Sequence, residues 1–122
     1  MRVLLVEDNP GDARLIRETL ADAAQAAARP DVVEVAHAET LAAALDQIAR
    51  QPPDAVLLDL NLGETHGLET FRTLFRQAPS VPVVVLSGLA DGETAIQAVR
   101  EGAQDYLVKG AADGPLIERS LR

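Results

Sequence analysis

The sequence predicts an α/β fold in which parallel strands form one sheet that is covered by helices on both faces. Short aliphatic runs alternate five times with segments whose apolar residues recur every three or four positions. Strands that alternate with helices in this way form right-handed crossovers and a parallel sheet. A chain of 122 residues suffices for one domain, which would bury roughly two thirds of its unfolded surface. We therefore expect residues 1–122 to form a single domain.

The five predicted strands differ in how deeply they should be buried. Strand two alternates apolar and polar residues, as edge strands do, whereas strands three and four are continuous apolar runs that indicate central positions. The predicted strands are Arg2–Val6, Val32–Ala36, Ala55–Leu58, Val81–Leu86 and Tyr106–Val108.

Apolar stripes and breaking residues mark the predicted helices. The first helix opens at Asn9-Pro10, because proline suits a first turn. Asp91 could cap the fourth helix, and Gly102 is its expected left-handed stop. The stripes are Ile16, Leu20, Ala23, Ala24 and Ala27; Leu41, Ala44, Leu45 and Ile48; Leu68, Phe71, Leu74 and Phe75; Ile96, Val99 and Ala103; and, in a short last helix, Leu116, Ile117 and Leu121.

Polar residues follow four of these strands. Glu7-Asp8 follows strand one, Asp59 strand three, Ser87 strand four and Lys109 strand five. Parallel sheets place ligands outside the carboxyl ends of their strands, so these groups should meet in one pocket. Three carboxylates, one hydroxyl and one ammonium form a set that suits a divalent cation and a phosphoryl group.

Lys109 is the only lysine of the chain, and the other ten strong bases are arginines. A single retained lysine indicates a site that needs a compact ammonium rather than a planar guanidinium. A chance surface charge, with codon bias behind the arginine excess, is the alternative interpretation.

Composition excludes several classes of function. The net charge of -8 leaves no visible basic face for nucleic acid. The chain has no cysteine, which excludes disulfides and thiolate metal sites and fits a reducing compartment. No apolar run approaches a membrane-spanning length. We expect a cytoplasmic protein without direct nucleic-acid or membrane partners.

Four motifs together resemble the receiver domains of two-component response regulators, over essentially the whole chain. They are Val6-Glu7-Asp8-Asn9, Leu57-Leu58-Asp59-Leu60-Asn61, Val85-Leu86-Ser87-Gly88 and Tyr106-Leu107-Val108-Lys109. The resemblance implies the flavodoxin-like, doubly wound sheet of chemotaxis regulators, (βα)5 with strand order 2-1-3-4-5. The stretch from Val6 to Ile16 is also similar to single-domain regulators paired with bacterial phytochromes and to receiver modules of hybrid sensory proteins.

The resemblance implies that Asp59 is the nucleophile and takes a phosphoryl group from a histidine kinase. It also implies a Mg²⁺ site in which Asp8 and Asp59 are direct carboxylate ligands. Asn61 would contribute its backbone carbonyl, and Glu7 would act through a bound water. Such a chain would catalyse its own aspartyl phosphorylation and dephosphorylation without being a conventional enzyme.

The remaining polar residues would bind and report the phosphoryl group. By the same resemblance, Lys109, the Ser87 hydroxyl and the Gly88 amide contact its oxygens. Movement of Ser87 lets Tyr106 turn inward, which changes the face of helix four, strand five and helix five. That face would bind a downstream output domain or protein, and the family also allows homodimers through it. The chain could be an excised module of a longer protein.

The sequence departs from the family pattern at the pocket. Gly110 follows the lysine where proline is common, and we predict a trans bond there because a non-proline cis bond costs roughly 3 kcal/mol. Ser87-Gly88 replaces a common threonine-alanine pair, which loosens the loop. Leu89 should hinder an attacking water, which predicts slow loss of the phosphoryl group.

Three rival functions remain open at this point. One is a receiver-like interaction module that takes no phosphate. Another is a phosphohydrolase of the haloacid type, although Asn61 stands where that pattern has a second aspartate. The third is a flavodoxin-like electron carrier, although Glu7-Asp8 would repel the phosphate of FMN.

Some polar residues are expected to take no part in function. His37 and His66 are interpreted as bystanders, His37 because it should lie near the end of its strand opposite the pocket. The arginines of the first helix are expected to lie on a solvated face and to pair with Asp12, Glu18 or Asp22.

Overall fold

The computed structural model describes residues 2–26, 34–62, 67–88 and 91–109. Its strands all pair in parallel in one sheet of order β2-β1-β3-β4-β5, so the predicted topology is confirmed. The elements are β1 (Arg2–Val6), α1 (Pro10–Ala26), β2 (Glu34–Ala38), α2 (Leu41–Arg50), β3 (Ala55–Asp59), α3 (Leu68–Gln77), β4 (Val83–Ser87), α4 (Gly92–Glu101) and β5 (Asp105–Val108).

The sheet is the middle layer of the fold, and its side chains alternate between two apolar cores. Leu58 and Phe71 belong to the core beneath α2, α3 and α4, and Leu57 and Leu20 belong to the core on the α1 face. Every residue of β3 and β4 is buried, whereas β2 is only partly covered. The predicted central and edge positions are therefore confirmed.

The boundaries of β2, β3, β4 and β5 differ from the prediction, and the largest shifts are in β2 and β4. The ladder between β1 and β2 continues until Val6 pairs with Ala38, two residues beyond the predicted end of strand two. His37 consequently lies near the carboxyl end of its strand, and its predicted position was wrong. Side chains of a strand alternate with a period of two, so a shift of two residues leaves the alternating pattern unchanged. β4 begins at Val83 rather than Val81, because Pro82 has no N–H to donate to a ladder.

The inward face of α4 also differs from the prediction. Ala95 and Ala98 are fully buried, whereas the side chain of Ile96 is 42% exposed. Val99 packs partly against the core and Ala103 is buried, as predicted. Small alanines let the helix lie close to the sheet, and a stripe assigned from the larger apolar residues missed this face.

The stripes of the other helices match the structure more closely. Buried side chains confirm Leu20 in α1 and Phe71 in α3, and the ring of Phe75 is partly buried and stacks on Phe71 with centroids 5.3 Å apart. The face of α2 is also confirmed, with Leu41, Ala44 and Ile48 buried. The Oγ1 atom of Thr40 caps α2 by accepting a hydrogen bond from the N–H of Ala43.

Several predictions concern residues that the structure does not describe. They include the trans bond at Gly110, the water-hindering role of Leu89, and His66 as a bystander. The last predicted helix and the start of strand two at Val32 lie outside the described residues as well. So do Ala27 and the side chains of Ala23 and Ala24. Among the helices that are described, none is both long and apolar enough to cross a membrane.

Two hydrogen bonds join the end of α4 to α3. The guanidinium of Arg72 donates two hydrogen bonds of 2.8 Å to the carboxylate of Glu101. This paired geometry, with a further hydrogen bond from Gln97, lowers the pKa of Glu101 to about 2.

Gly102 ends α4 with φ at 133°, in the left-handed region. The predicted helix stop is thus confirmed.

The backbone of Gly102 also lies against an aromatic ring. A methyl group built on this residue would stand 2.7 Å from Cζ of Phe75. Residue 102 is therefore restricted to glycine twice, by its dihedral angle and by the ring beneath it.

The first prediction concerns this helix end. Substituting Gly102→Ala should lower the free energy of unfolding by about 2 kcal/mol or more, since it adds left-handed strain to a steric overlap. The matched control is Gly92→Ala, because no described atom lies within 4 Å of a methyl group built there. The control should be neutral or stabilising by up to about 1 kcal/mol. Urea denaturation measures both variants, and equal stabilities would contradict the prediction.

Candidate functional site

Polar side chains from several strand ends line one open pocket above the carboxyl edge of the sheet. Its walls come from the turn after β1, the first turn of α1, the ends of β3 and β4, and the residue after β5. The pocket measures about 270 Å³. Its lining residues are Glu7, Asp8, Asn9, Asp12, Asp59, Asn61, Gly88 and Lys109. The parallel sheet therefore brings together most of the residues that the sequence placed at strand ends.

Lys109 is the only cation among the lining residues. Its backbone N–H donates to the carbonyl of Ser87 at 2.8 Å, which fixes the residue at the end of β5. Its Nζ atom lies 2.6 Å from Oε2 of Glu7, 3.0 Å from Oδ2 of Asp59 and 3.2 Å from Oδ2 of Asp12. Burial alone would lower the pKa of Lys109, but the contacts with Glu7 and Asp59 outweigh it and raise the pKa above its ordinary value.

Glu7 is the most deeply buried acid of the pocket, with no exposed surface. Its Oε1 accepts a hydrogen bond from the N–H of Asn9 at 3.1 Å. Its Oε2 faces Lys109 as an ion pair that lacks hydrogen-bond alignment. Burial raises the pKa of Glu7 to about 7, with Lys109 acting against the shift and Asp59 adding to it. One oxygen of this acid is thus incompletely satisfied.

Asp59 ends β3 and is 3% exposed. Its Oδ1 accepts from the N–H of Asn61 at 3.1 Å, and its Oδ2 accepts from Nζ of Lys109 at 3.0 Å. One hydrogen bond to each oxygen fixes the plane of the carboxylate at the pocket floor.

A hydrogen bond between two loops crosses the rim of the pocket. The side-chain amide of Asn61 donates to Oδ2 of Asp91 at 2.9 Å. Asp91 occupies the N-cap position of α4, as predicted, but its side chain makes no capping hydrogen bond there and accepts from Asn61 instead. A methyl group built on Gly88 would lie 3.4 Å from the same oxygen, which shows how closely Asp91 approaches the pocket.

Ser87 and Tyr106, the two predicted switch residues, lie beside the pocket rather than in it. Ser87 is fully buried, and its Oγ is 3.5 Å from the carbonyl of Leu107, at the limit of a hydrogen bond. Tyr106 on β5 is 37% exposed. Among the described residues, these two are the sequence-predicted site residues that do not line the pocket.

Asp12 is a pocket residue that the sequence interpretation missed. The side chain of Asn9 accepts hydrogen bonds from the N–H groups of Gly11 and Asp12, which begins α1 just above the sheet edge. Asp12 in this first turn contacts Lys109. The feature of the sequence that could have identified Asp12 is its position about one helical turn after Glu7 and Asp8. Of the acids expected to pair with the helix arginines, Glu18 does so, with Arg14, so that prediction is confirmed.

The donor set of the pocket fits a hard divalent cation. Carboxylate oxygens of Glu7, Asp8 and Asp59 all lie within 4.8 Å of one another. Oxygen ligands of this kind suit Mg²⁺ or Ca²⁺ rather than softer metals. The incompletely satisfied oxygen of Glu7 agrees with this assignment, because burial without a full set of partners is costly for a carboxylate.

Comparisons with known proteins support the same interpretation. A family model described as "Response regulator receiver domain" matches residues 3–120. The KDP operon transcriptional regulatory protein KdpE of Escherichia coli is 38% identical over 117 residues, which cover 96% of this chain and 48% of KdpE. The alginate biosynthesis transcriptional regulatory protein AlgB of Pseudomonas putida is 38% identical over 108 residues, 88% of this chain and 22% of AlgB.

The fold is also similar to solved structures. The crystal structure of the receiver domain of NtrX from Brucella abortus matches with a TM-score of 0.80 and 31% identity, covering 98% of this chain and 97% of that one. The chain thus spans about half or less of the two transcriptional regulators but nearly all of this isolated domain.

The second prediction concerns the shared ammonium in metal-free buffer. Lys109→Met should lower the free energy of unfolding by about 3 kcal/mol, because it leaves buried carboxylates without a counterion. Arg50→Met is the control, since it breaks an exposed ion pair with Asp46 and should change stability by less than about 0.5 kcal/mol. Denaturation in EDTA measures both, and a comparably small loss in the two variants would show that the ammonium does not stabilise the pocket.

Proposed function

The chain belongs to the response regulator receiver domain family of two-component signal transduction, and we propose from this premise that Asp59 accepts a phosphoryl group from the phosphohistidine of a histidine kinase. The observation that carries the proposal is the contact of 3.0 Å between the Asp59 carboxylate and the Lys109 ammonium, inside an acidic cluster that suits Mg²⁺. The intact cluster gives no support to a module that takes no phosphate.

In the proposed step, an oxygen of Asp59 attacks phosphorus while the bond between phosphorus and the donor imidazole nitrogen breaks. The leaving nitrogen keeps the electron pair of that bond and is protonated from solvent. An aspartate is already anionic at neutral pH, so it needs no general base. The hydrogen bonds from Asn61 and Lys109 orient the nucleophile before the donor arrives.

Charge repulsion is the main obstacle to this reaction. The pocket holds the four carboxylates of Glu7, Asp8, Asp12 and Asp59 against one ammonium, a formal charge of -3. We assign Asp8 and Asp59 as direct ligands of Mg²⁺, the Asn61 carbonyl as a further ligand and Glu7 as a ligand through water. Bound Mg²⁺ would supply positive charge that offsets the repulsion between the carboxylate and the phosphoryl group.

Lys109 is assigned to the phosphoryl group as well as to the resting pocket. We infer that its ammonium, which contacts three acids in the resting pocket, gives up one of these contacts and contacts a phosphoryl oxygen instead. The amide of Gly88 and the hydroxyl of Ser87 would bind the other oxygens. The present hydrogen bond of Ser87 is long, so little is lost when its hydroxyl turns toward the pocket.

The signal would leave through α4 and β5. We infer that Tyr106, now 37% exposed, turns inward when Ser87 moves, and that this changes the surface presented by α4, β5 and the segment that follows. An output domain or protein would read that surface, and a second copy of the chain is the other partner to be tested there.

The third prediction concerns phosphoryl transfer itself. With Mg²⁺ and a small phosphodonor such as acetyl phosphate, the protein should gain one phosphoryl group by intact-mass measurement. Asp59→Asn should abolish the gain, since the amide is a poor nucleophile. The control Asp46→Asn alters an exposed acid of α2 and should be labelled like the unsubstituted protein. Labelling that survives in Asp59→Asn would rule out the assigned acceptor.

The fourth prediction concerns the cation. Mg²⁺ at 100 times its Kd should stabilise the unsubstituted protein by about 2.7 kcal/mol through mass action. Asp8→Asn should remove most of this gain, while Asp46→Asn should retain it. Thermal unfolding with Mg²⁺ and with EDTA measures the difference. A full Mg²⁺ response in Asp8→Asn would exclude that carboxylate as a ligand.

A further inference from the structure

We propose that His37 is a positioning residue for the acid pair, because its ring holds the peptide bond that joins Glu7 to Asp8. The proposal rests on the Mg²⁺ site proposed above. The Nε2 atom of His37 lies 2.8 Å from the backbone carbonyl oxygen of Glu7. A carbonyl oxygen only accepts hydrogen bonds, so Nε2 carries the hydrogen and donates it.

The imidazole of His37 supplies a hydrogen bond to the Glu7 carbonyl at the point where the backbone ladder between β1 and β2 ends. The N–H of Glu7 donates to the carbonyl of Ala38 at 3.0 Å, one step after Val6 pairs with Ala38. β2 ends at Ala38, so its regular ladder stops there. The side chain of His37 takes over at that point and supplies the donor for the Glu7 carbonyl. Strand β2 therefore makes hydrogen bonds with both backbone polar groups of Glu7, its N–H and its carbonyl.

The held carbonyl belongs to the same peptide unit as the nitrogen and Cα of Asp8. A peptide unit is planar, so a hydrogen bond that fixes the carbonyl direction also fixes the start of Asp8. Glu7 is fully buried and its neighbour is exposed, so the turn must place two adjacent acids in different environments. The hydrogen bond from His37 restrains the peptide bond that joins Glu7 to Asp8.

His37 is itself held in place. Its backbone carbonyl accepts a hydrogen bond of 3.2 Å from Nε2 of Gln47 on α2, and its ring is part-buried. The ring thus approaches the turn from a fixed strand rather than from a free loop. Groups that orient metal ligands in this way commonly account for 10- to 100-fold of metal affinity.

The test compares two substitutions at the same position. His37→Gln keeps an amide donor close to the place of Nε2, whereas His37→Phe keeps the ring bulk and removes the donor. Mg²⁺ alone is titrated into each protein by calorimetry. We expect His37→Phe to bind Mg²⁺ about tenfold more weakly, and His37→Gln to stay within about threefold of the unsubstituted protein. Glu34→Gln, an exposed position at the other end of β2, is the control and should bind normally.

A second measurement separates positioning from chemistry. At saturating Mg²⁺ the maximal rate of labelling by a small phosphodonor should be unchanged in His37→Phe, because Asp59 and Lys109 remain in place. Normal Mg²⁺ affinity in a folded His37→Phe protein would overturn the inference and leave the proposed function standing. Absence of Mg²⁺ binding and of labelling in the unsubstituted protein would overturn the proposed function, and the inference with it.

A third measurement does not depend on how the variants fold. Nitrogen-15 spectra of the metal-free, unsubstituted protein should show His37 with its hydrogen on Nε2 and with slow exchange of that hydrogen. A neutral ring with its hydrogen on Nδ1 alone would overturn the inference, because such a ring has no donor for the Glu7 carbonyl.

Discussion

The sharing of one ammonium among three carboxylates governs the organisation of this pocket. Lys109 reaches Glu7, Asp59 and Asp12 from the end of β5, and each acid comes from a different stretch of chain. Carboxylates that are gathered around one point repel one another unless a cation stands between them. The same contacts that hold the resting pocket together therefore place a mobile positive charge beside Asp59, where an incoming phosphoryl group would need it.

The sequence predicted the sheet and the residues of its carboxyl edge because both follow from strand ends. Once the strands are parallel, Asp59 and Lys109 must lie at the same edge, and only coarse boundaries are needed to see it. His37 was misplaced because a shift of two residues along a half-covered strand changes no hydrophobic pattern. Asp12 was not recognised as a pocket residue because helix spacing shows which residues share a face but not which neighbouring strand end they meet. Ile96 was placed inside because a stripe of alanines competes poorly with larger residues in a periodic pattern.

The helix α4 combines tight attachment at its end with an exposed outer face. Arg72 and Glu101 join its last turn to α3, and Phe75 fills the space beneath Gly102. Ile96 remains open to solvent on the helix, as does Tyr106 on the neighbouring strand. Rearrangement of this surface would therefore be easier near the start of α4, beside Asp91 and the pocket, than at its anchored end.

Lys109 is the only lysine of residues 1–122 and supplies their only side-chain amine. Within these residues, amine-directed reagents can therefore modify a side chain only here. An ammonium whose pKa is raised by surrounding carboxylates seldom exists as the free base, so acylation at residue 109 should be slow in the resting state. The rate of that single modification would then act as an intrinsic reporter of how firmly the acids hold the lysine, without any introduced dye.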